Sequence, residues 1–225
     1  MFNFSLDKRT ITIILVVMLG LWLASNGTAG ILNLLLTIPG VLIAITFHEF
    51  AHAWMAVKLG DNTPKLQGRL SLNPFDHMDP IGFVFLIVAG FGWGKPVEID
   101  SRNFNGKYSL SKAEAIVAAA GPIMNFILAF IFMIVYYAVF VATNALGTLT
   151  LQWQQVIYYI VVYTISINIG LGVFNLIPLP PLDGSKILMH FLPAKGKEWF
   201  YNNQQIFYIV FLLIWITGLS SVVLQ

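Results

Sequence analysis

Two long stretches of this chain, residues 10–48 and 115–182, contain no Lys, Arg, Asp or Glu. The whole chain of 225 residues is 58% hydrophobic and only 10% charged, whereas a soluble domain carries about 25% charged residues. One soluble core cannot enclose so much apolar surface, so we expect lipid to solvate much of it. The sequence therefore predicts a membrane protein.

Turn-forming and charged residues divide the apolar stretches into pieces near the ~20 residues that a spanning helix needs. We expect an all-α polytopic membrane protein, with residues 1–225 forming a single membrane-embedded domain of about five to six transmembrane helices. The piece at 81–93 has only about 13 residues and is rich in Gly and Val, which favours a short re-entrant or β-hairpin segment. The spans are predicted at about 10–25, 31–58, 113–142, 155–177 and 205–224.

The basic residues predict how the chain is oriented in the membrane. They fall at 8–9, within 58–112 and within 186–197, while the loops at 26–30 and 144–154 have none. The positive-inside rule places the basic regions, including the N-terminus, in the cytoplasm of a multi-pass cell-membrane protein. This requires segment 81–93 to enter and leave on the same side. A formal net charge of +2 is too small to indicate nucleic-acid binding.

The motif His48-Glu49-Phe50-Ala51-His52 matches the pattern H-E-x-x-H. In a helix the two imidazoles lie one turn apart on one face and can bind one metal ion, and Glu49 beside them can take a proton from a water molecule. Ionisable side chains at the end of an apolar run are costly without partners and a task. Lys58, about 15 Å further along a helix, places this motif near the cytoplasmic side. A snorkelling helix end explains the polarity but not this spacing.

A catalytic zinc site usually has three protein ligands and one open position. The chain has no Cys, so the third ligand must be His, Asp or Glu. Asp183 follows a proline-rich break, Pro178-Leu179-Pro180-Pro181-Leu182, and could point into the membrane-embedded site. It could equally cap a following helix. Of the remaining histidines, His77 lies beside Asp76 and Asp79, which favours a surface or supporting role, and His190 is expected in a cytoplasmic loop.

Three motifs together resemble the site-2 protease family of intramembrane zinc metalloproteases. They are His48 to His52, Gly121-Pro122-Ile123-Met124-Asn125, and Asn175 to Gly184, and the likeness covers most of the chain. The stretches Gly68 to Gly82 and Gly92 to Val97 are similar to the compact prokaryotic branch, which has no PDZ or CBS domain. The pair Pro180-Pro181 before Leu182-Asp183 departs slightly from the commoner Asn-Pro form without changing the ligand.

The resemblance implies one Zn²⁺ bound by His48, His52 and Asp183, with Glu49 as general base. It also implies an endopeptidase that cuts transmembrane segments of other membrane proteins. Asn125 could donate to an oxyanion or hold the substrate, or it could make an interhelical hydrogen bond. The same two interpretations apply to Asn175. The oligomeric state is not predicted.

Two other classes of function fit part of the sequence. A zinc or divalent-cation transporter could use the same three ligands as a transient site, but such transporters often contain internal repeats, and no repeat is visible here. A protease-like scaffold could bind membrane proteins without cutting them, but the intact Glu49 argues against it. We therefore expect an intramembrane zinc metalloendopeptidase.

Overall fold

The computed structural model describes residues 8–89, 93–146 and 151–216, and within them the chain is helical. Two short 3₁₀ turns lie at Pro74–Asp76 and Ser101–Asn103. The described part contains no β-strand, only one isolated antiparallel bridge between Met78 and Gly94. The α-helices are α1 (Lys8–Lys58), α2 (Thr63–Leu66), α3 (Pro80–Ala89), α4 (Leu110–Leu146), α5 (Leu151–Asn175), α6 (Asp183–Phe191), α7 (Ala194–Asn202) and α8 (Gln204–Ile216).

Helix α1 has 51 residues, which at 1.5 Å per residue corresponds to about 75 Å, well beyond the thickness of one bilayer core. Gly27 interrupts it with φ 58° and ψ −157°, a conformation that only glycine adopts readily. The interruption lies inside the loop predicted at 26–30. Two helices therefore meet end to end at Gly27, and the second carries the H-E-x-x-H motif.

Within the part of the chain that the structure describes, three helices are long and apolar enough to cross a membrane: Val16–Lys58, Leu110–Ala142 and Gln152–Asn175. The predicted number of about five to six spans is not confirmed. Helix α8 covers the first part of the span predicted at 205–224, whose remainder lies outside the described residues. The proposed span limits therefore stay predictions, whereas the all-helical architecture is confirmed.

The segment predicted as re-entrant or hairpin is helical where it is described. Helix α3 has ten residues, about 15 Å, which is too short to cross the hydrocarbon core. Residues 90–92 lie outside the described part. The β-hairpin is not confirmed, because an apolar run of this length satisfies its backbone hydrogen bonds internally as a helix.

The centre of the molecule is formed by α1, α4 and α5, with α6 packed against α4. Small residues allow these helices to approach closely. A Cβ added at Gly40 of α1 would lie 2.9 Å from the Cα of Thr164 in α5. In contrast, large apolar side chains on the outer face of α4, such as Phe130 and Tyr137, are exposed. This inside-out arrangement suits a lipid solvent.

Between α1 and α4, the chain is tied down by the fully buried carboxylate of Asp61. It accepts hydrogen bonds from Thr63 Oγ1 and the Thr63 amide at 2.5 and 3.0 Å, from the Asp100 amide at 2.8 Å, and from Asn103 Nδ2 at 3.1 Å. Burial alone would raise the pKa of Asp61, but these hydrogen bonds outweigh it and lower the pKa. Asp61 thus holds residues 100–103 against the end of α1.

We predict that Asp61 makes the stability of the protein sensitive to acid. A carboxyl whose pKa is lower in the folded state stabilises the fold above its unfolded pKa of about 3.9, and this contribution is lost as the pH falls through the folded value. Thermal unfolding in detergent between pH 6 and pH 3 should show a smaller loss of Tm for Asp61→Asn than for the wild type. Equal losses would contradict the assignment.

Candidate active site

Helix α1 places the two histidines of the motif side by side. The ring centroids of His48 and His52 are 4.6 Å apart with an interplanar angle of 85°, and their Nε2 atoms are 3.0 Å apart. Both residues are buried, with 6% and 7% exposure. The i, i+4 spacing therefore produces a pair of imidazole nitrogens directed at one point, as the sequence predicts.

Asp183 is the first residue of α6 and completes the cluster. Its Oδ2 lies 3.2 Å from His48 Nε2 and 3.1 Å from His52 Nε2. The following Gly184 allows α6 to approach the end of α5, because a Cβ there would overlap the carbonyl groups of Leu176 and Ile177. The N-cap of α6 is Leu182, so Asp183 itself does not occupy the capping position.

Each imidazole donates a hydrogen bond from its Nδ1–H to a fixed oxygen. His48 Nδ1 lies 2.6 Å from Asn125 Oδ1, and His52 Nδ1 lies 2.8 Å from the carbonyl oxygen of Val117. Since both partners accept, each Nδ1 carries the proton and each Nε2 presents a lone pair to the cluster. Helix α4, which supplies both oxygens, therefore sets the tautomer of both histidines.

The direction of the Asn125 amide is itself fixed by α1 and α5. Asn125 is fully buried, and its Nδ2 donates to the Ala44 carbonyl at 3.1 Å and to Asn168 Oδ1 at 3.0 Å. Asn168, also fully buried, donates its own Nδ2 to the Thr164 carbonyl at 2.8 Å. A main-chain carbonyl thus orients Asn168, which orients Asn125, which orients His48. We call this chain the asparagine relay.

The three inward-facing atoms fit a metal ion. His48 Nε2, His52 Nε2 and Asp183 Oδ2 are lone-pair donors 3.0–3.2 Å apart, and among the described residues Asp183 Oδ2 has no hydrogen-bond partner. Lone pairs that face one another repel, and a metal cation placed between them removes this repulsion. Two imidazoles and a carboxylate match the preference of zinc.

Gly121 of α4 keeps this space open. A Cβ at this position would overlap the His52 ring and lie 2.7 Å from His48 Nε2, so even a methyl group would enter the space between the ligand atoms. The motif from Gly121 to Asn125 does not by itself indicate that Gly121 faces the two histidines. Only the packing of α4 against α1 reveals this.

Glu49 lies beside the cluster with one oxygen engaged. Its Oε2 accepts a hydrogen bond from the Val97 amide at 3.1 Å. Both residues line a cavity of about 280 Å³, together with the three candidate ligands and residues of α4, α6 and α7. A carboxylate held in this way, next to a metal position and open to a cavity, can accept a proton from water.

The structure places the two predicted asparagines differently. The side-chain amide of Asn125 is buried, and its hydrogen bonds described above join it to His48, Ala44 and Asn168. Asn175, the last residue of α5, lines the cavity and donates Nδ2 to the Leu171 carbonyl at 3.0 Å. The substrate or oxyanion role of both residues stays a prediction.

The two remaining histidines are not part of the cluster. His77 is fully buried and bonded through Nε2 to the Ser71 carbonyl at 2.7 Å. His190 lies not in a loop, as expected, but in α6, and its Nδ1 is 3.5 Å from Ser111 Oγ of α4. Among the described residues, the only group of three or more His, Cys, Asp or Glu side chains arranged to hold a metal ion is His48, His52 and Asp183.

This arrangement is that of a single-zinc metallopeptidase centre: two histidines from one H-E-x-x-H helix, a third carboxylate ligand, and a glutamate beside them. It lies where an apolar helix, long enough to span a membrane, meets polar loops. Comparison with known proteins agrees with that class.

The model of peptidase family M50 matches residues 36–217, and the chain belongs to this family. It is 39% identical over 186 residues to "Putative zinc metalloprotease YwhC" of Bacillus subtilis, covering 82% of this chain and 81% of that one. It is 29% identical over 175 residues to "Putative zinc metalloprotease Rip2" of Mycolicibacterium smegmatis, covering 73% and 63% respectively. It is 25% identical over 190 residues to "Putative zinc metalloprotease MJ0611" of Methanocaldococcus jannaschii, covering 83% and 86%.

The resemblance to the site-2 protease family is therefore confirmed, and the protein is a zinc metalloprotease with membrane helices. No solved structure matches the chain significantly. The zinc cofactor expected from the sequence agrees with the three-residue group that the fold assembles.

We predict that Gly121→Ala abolishes zinc binding, because the added methyl group would occupy the space between the ligands. Purified protein should contain less than about a tenth of the wild-type zinc by elemental analysis, because even a small misfit in a metal site is costly. Gly170→Ala in α5 is the matched control, since a Cβ there meets nothing within 4 Å. Full zinc content in Gly121→Ala would show that α4 does not limit the site.

We further predict that Asn168→Leu weakens zinc binding by about 10- to 100-fold, the usual effect of losing an outer partner of a metal site. Without Asn168 Oδ1, the Asn125 amide is no longer held with its oxygen towards His48. The measurement is competition with a chelator of known affinity. Thr164→Val is the control, because it removes only a hydroxyl bonded within α5, to Ile160, and keeps the carbonyl that Asn168 uses. Equal affinities for Asn168→Leu and Thr164→Val would exclude the relay.

Proposed function

We propose that the protein is an intramembrane zinc metalloendopeptidase that hydrolyses peptide bonds within transmembrane segments of other membrane proteins. The observation that carries this proposal is the position of the ligands. His48 and His52 lie in the candidate membrane span Val16–Lys58, and Asp183 joins them directly after the candidate span Gln152–Asn175. A hydrolytic centre built between two such helices is suited to membrane-embedded substrates.

In the proposed reaction, His48, His52 and Asp183 hold the zinc ion and Glu49 is the general base. Zinc, when bound, supplies Lewis-acid chemistry that acidifies water and polarises the scissile carbonyl. Glu49 Oε1 accepts the proton of the attacking water and then delivers it to the leaving amine, while Oε2 stays hydrogen-bonded to the Val97 amide. The asparagine relay keeps His48 in the tautomer that binds the metal.

The substrate is proposed to enter the cavity as an extended chain, because a helix shields its own peptide bonds. The cavity of about 280 Å³ can hold only a short piece of peptide, so the substrate helix must unwind locally. Asn175 lines this cavity and is the better placed of the two asparagines to contact the substrate. Asn125 supports the site through His48.

We propose that the protein is a multi-pass protein of the cell membrane with a cytoplasmic N-terminus and its active site near the cytoplasmic side. This rests on the distribution of basic residues. Lys58 ends α1, and the loops that follow it, which also line the site, contain most of the other basic residues before α4. The partners would be a transmembrane protein substrate and the bilayer.

We predict that Glu49→Gln retains zinc and loses cleavage by about 10²–10⁴-fold, the usual contribution of a general base. The assay uses purified protein in liposomes with a fluorescent single-span substrate, and zinc is measured on the same samples. Glu98→Gln is the matched control, because Glu98 is exposed and, among the residues that the structure describes, its side chain is hydrogen-bonded only to Gln67.

The same preparation separates the proposal from its competitors. Cleavage of the membrane-inserted substrate, at a site that mass spectrometry maps inside its apolar segment, would support intramembrane hydrolysis. Cleavage only of water-exposed flanks would contradict it. Zinc flux into the liposomes without cleavage would indicate a transporter, and binding without either activity would indicate a scaffold.

A further inference from the structure

Arg69 is a buried cation whose partners are main-chain carbonyls. Its residue exposure is 4%, and no ion pair involves it among the described residues. The guanidinium instead donates to the carbonyl groups of Asp76, Lys95 and Pro96. Burying a charge without a counter-ion costs free energy. The buried guanidinium of Arg69 therefore holds the main chain in place through these carbonyl groups.

The backbone that it holds is segment 95–100, which follows α3 and lines the cavity. The Lys95 amide donates to the His77 carbonyl at 2.8 Å, and Gly94 bridges to Met78. A Cβ at Gly94 would lie 2.9 Å from Ile45 Cγ2, so the chain runs directly against α1 here. Arg69 clamps the start of this segment, and Asp61 clamps its end through the Asp100 amide.

Between the two clamps lies the donor that reaches Glu49. The Val97 amide, directly after the Pro96 carbonyl held by Arg69, donates to Glu49 Oε2 at 3.1 Å. The Pro96–Val97 peptide unit thus accepts a hydrogen bond from Arg69 at its carbonyl oxygen and donates one to Glu49 from its N–H. Any shift of this unit changes the direction of the donor to Glu49.

We infer that Arg69 is a positioning residue for the reaction: it fixes the Pro96–Val97 peptide so that the Val97 amide holds Glu49 with Oε2 bound and Oε1 free. Nothing in the family match assigns this role, which rests on the proposed function of Glu49 as general base. A carboxylate with one oxygen held has a defined free oxygen, whereas an unheld carboxylate rotates between orientations. The effect is on the catalytic step rather than on metal binding.

The alternative is that Arg69 only stabilises the loop between α1 and α4. The two roles predict different measurements. Substituting a merely structural residue lowers Tm and the active fraction, and its effect on activity multiplies with that of a second substitution in the site. A positioning residue lowers kcat with little change in KM or zinc content, and its loss adds nothing once the donor that it positions has been removed.

The experiment compares Arg69→Gln, Val97→Pro and the double variant in full-length protein. Val97→Pro removes the donor directly, because proline has no backbone N–H. We expect each single variant to lose kcat by about 10- to 100-fold with KM within about twofold of the wild type. The double variant should be no worse than Val97→Pro within about twofold.

Amide hydrogen exchange provides a readout that does not depend on cleavage. In Arg69→Gln, peptides covering 95–100 should exchange faster, while those covering His48 to His52 remain protected. Arg102→Gln is the matched control, because Arg102 is an exposed arginine near the same segment, bonded to Asp100. Arg69→Lys keeps a cation that can reach one carbonyl, so its kcat should lie between those of Arg69→Gln and the wild type. If Arg69→Gln is not produced in usable amounts, Arg69→Lys replaces it in the same measurements.

Multiplying effects of Arg69→Gln and Val97→Pro, or unchanged exchange in segment 95–100, would overturn the inference. So would a loss of kcat in Arg102→Gln as large as that in Arg69→Gln. An active Glu49→Gln variant would instead overturn the proposed base, and with it the catalytic consequence. A failure of the proposed base can be told apart from a failure of the inference about Arg69. In the first case, amide exchange in segment 95–100 would still be faster in Arg69→Gln, because Arg69 would still hold this segment.

Discussion

The hydrogen bonds that the Nδ1–H groups of His48 and His52 donate are the interactions on which the rest of the site depends. They decide which nitrogen of each ring faces the cluster, and without them the three ligand atoms would not all present lone pairs. Helix α4 provides both acceptors, and α5 orients one of them through Asn168. Where little water is available, every polar atom near the ligands must find its partner in protein, and these helices supply it.

The part of the site that lies on one helix could be predicted from sequence. The spacing of His48 and His52 determines their common face, and the apolar run around them makes a purely solvated role costly. Asp183 could not be chosen from its surroundings alone, because a helix-capping turn has the same local sequence. The family resemblance favours the ligand role, and the structure brings Asp183 Oδ2 beside the Nε2 atoms of both histidines.

Other parts of the site depend on contacts between residues far apart in the chain. Gly121, Asn168 and Arg69 have neighbours that no local pattern indicates, and each acts through packing or through main-chain carbonyls. The same limit applies to the fold. An all-helical membrane protein follows from hydropathy, but the short apolar run at 81–93 is compatible with a short helix or a hairpin, and the structure has helix α3.

The third ligand also has a consequence for the making of the protein. His48 and His52 leave the ribosome early, but Asp183 follows only after α4 and α5 have been synthesised. The nascent chain therefore cannot bring the three candidate ligands together until α1 to α5 have been synthesised. Separating the ligands along the chain thus delays the assembly of the proposed metal centre until the helices that surround it are present.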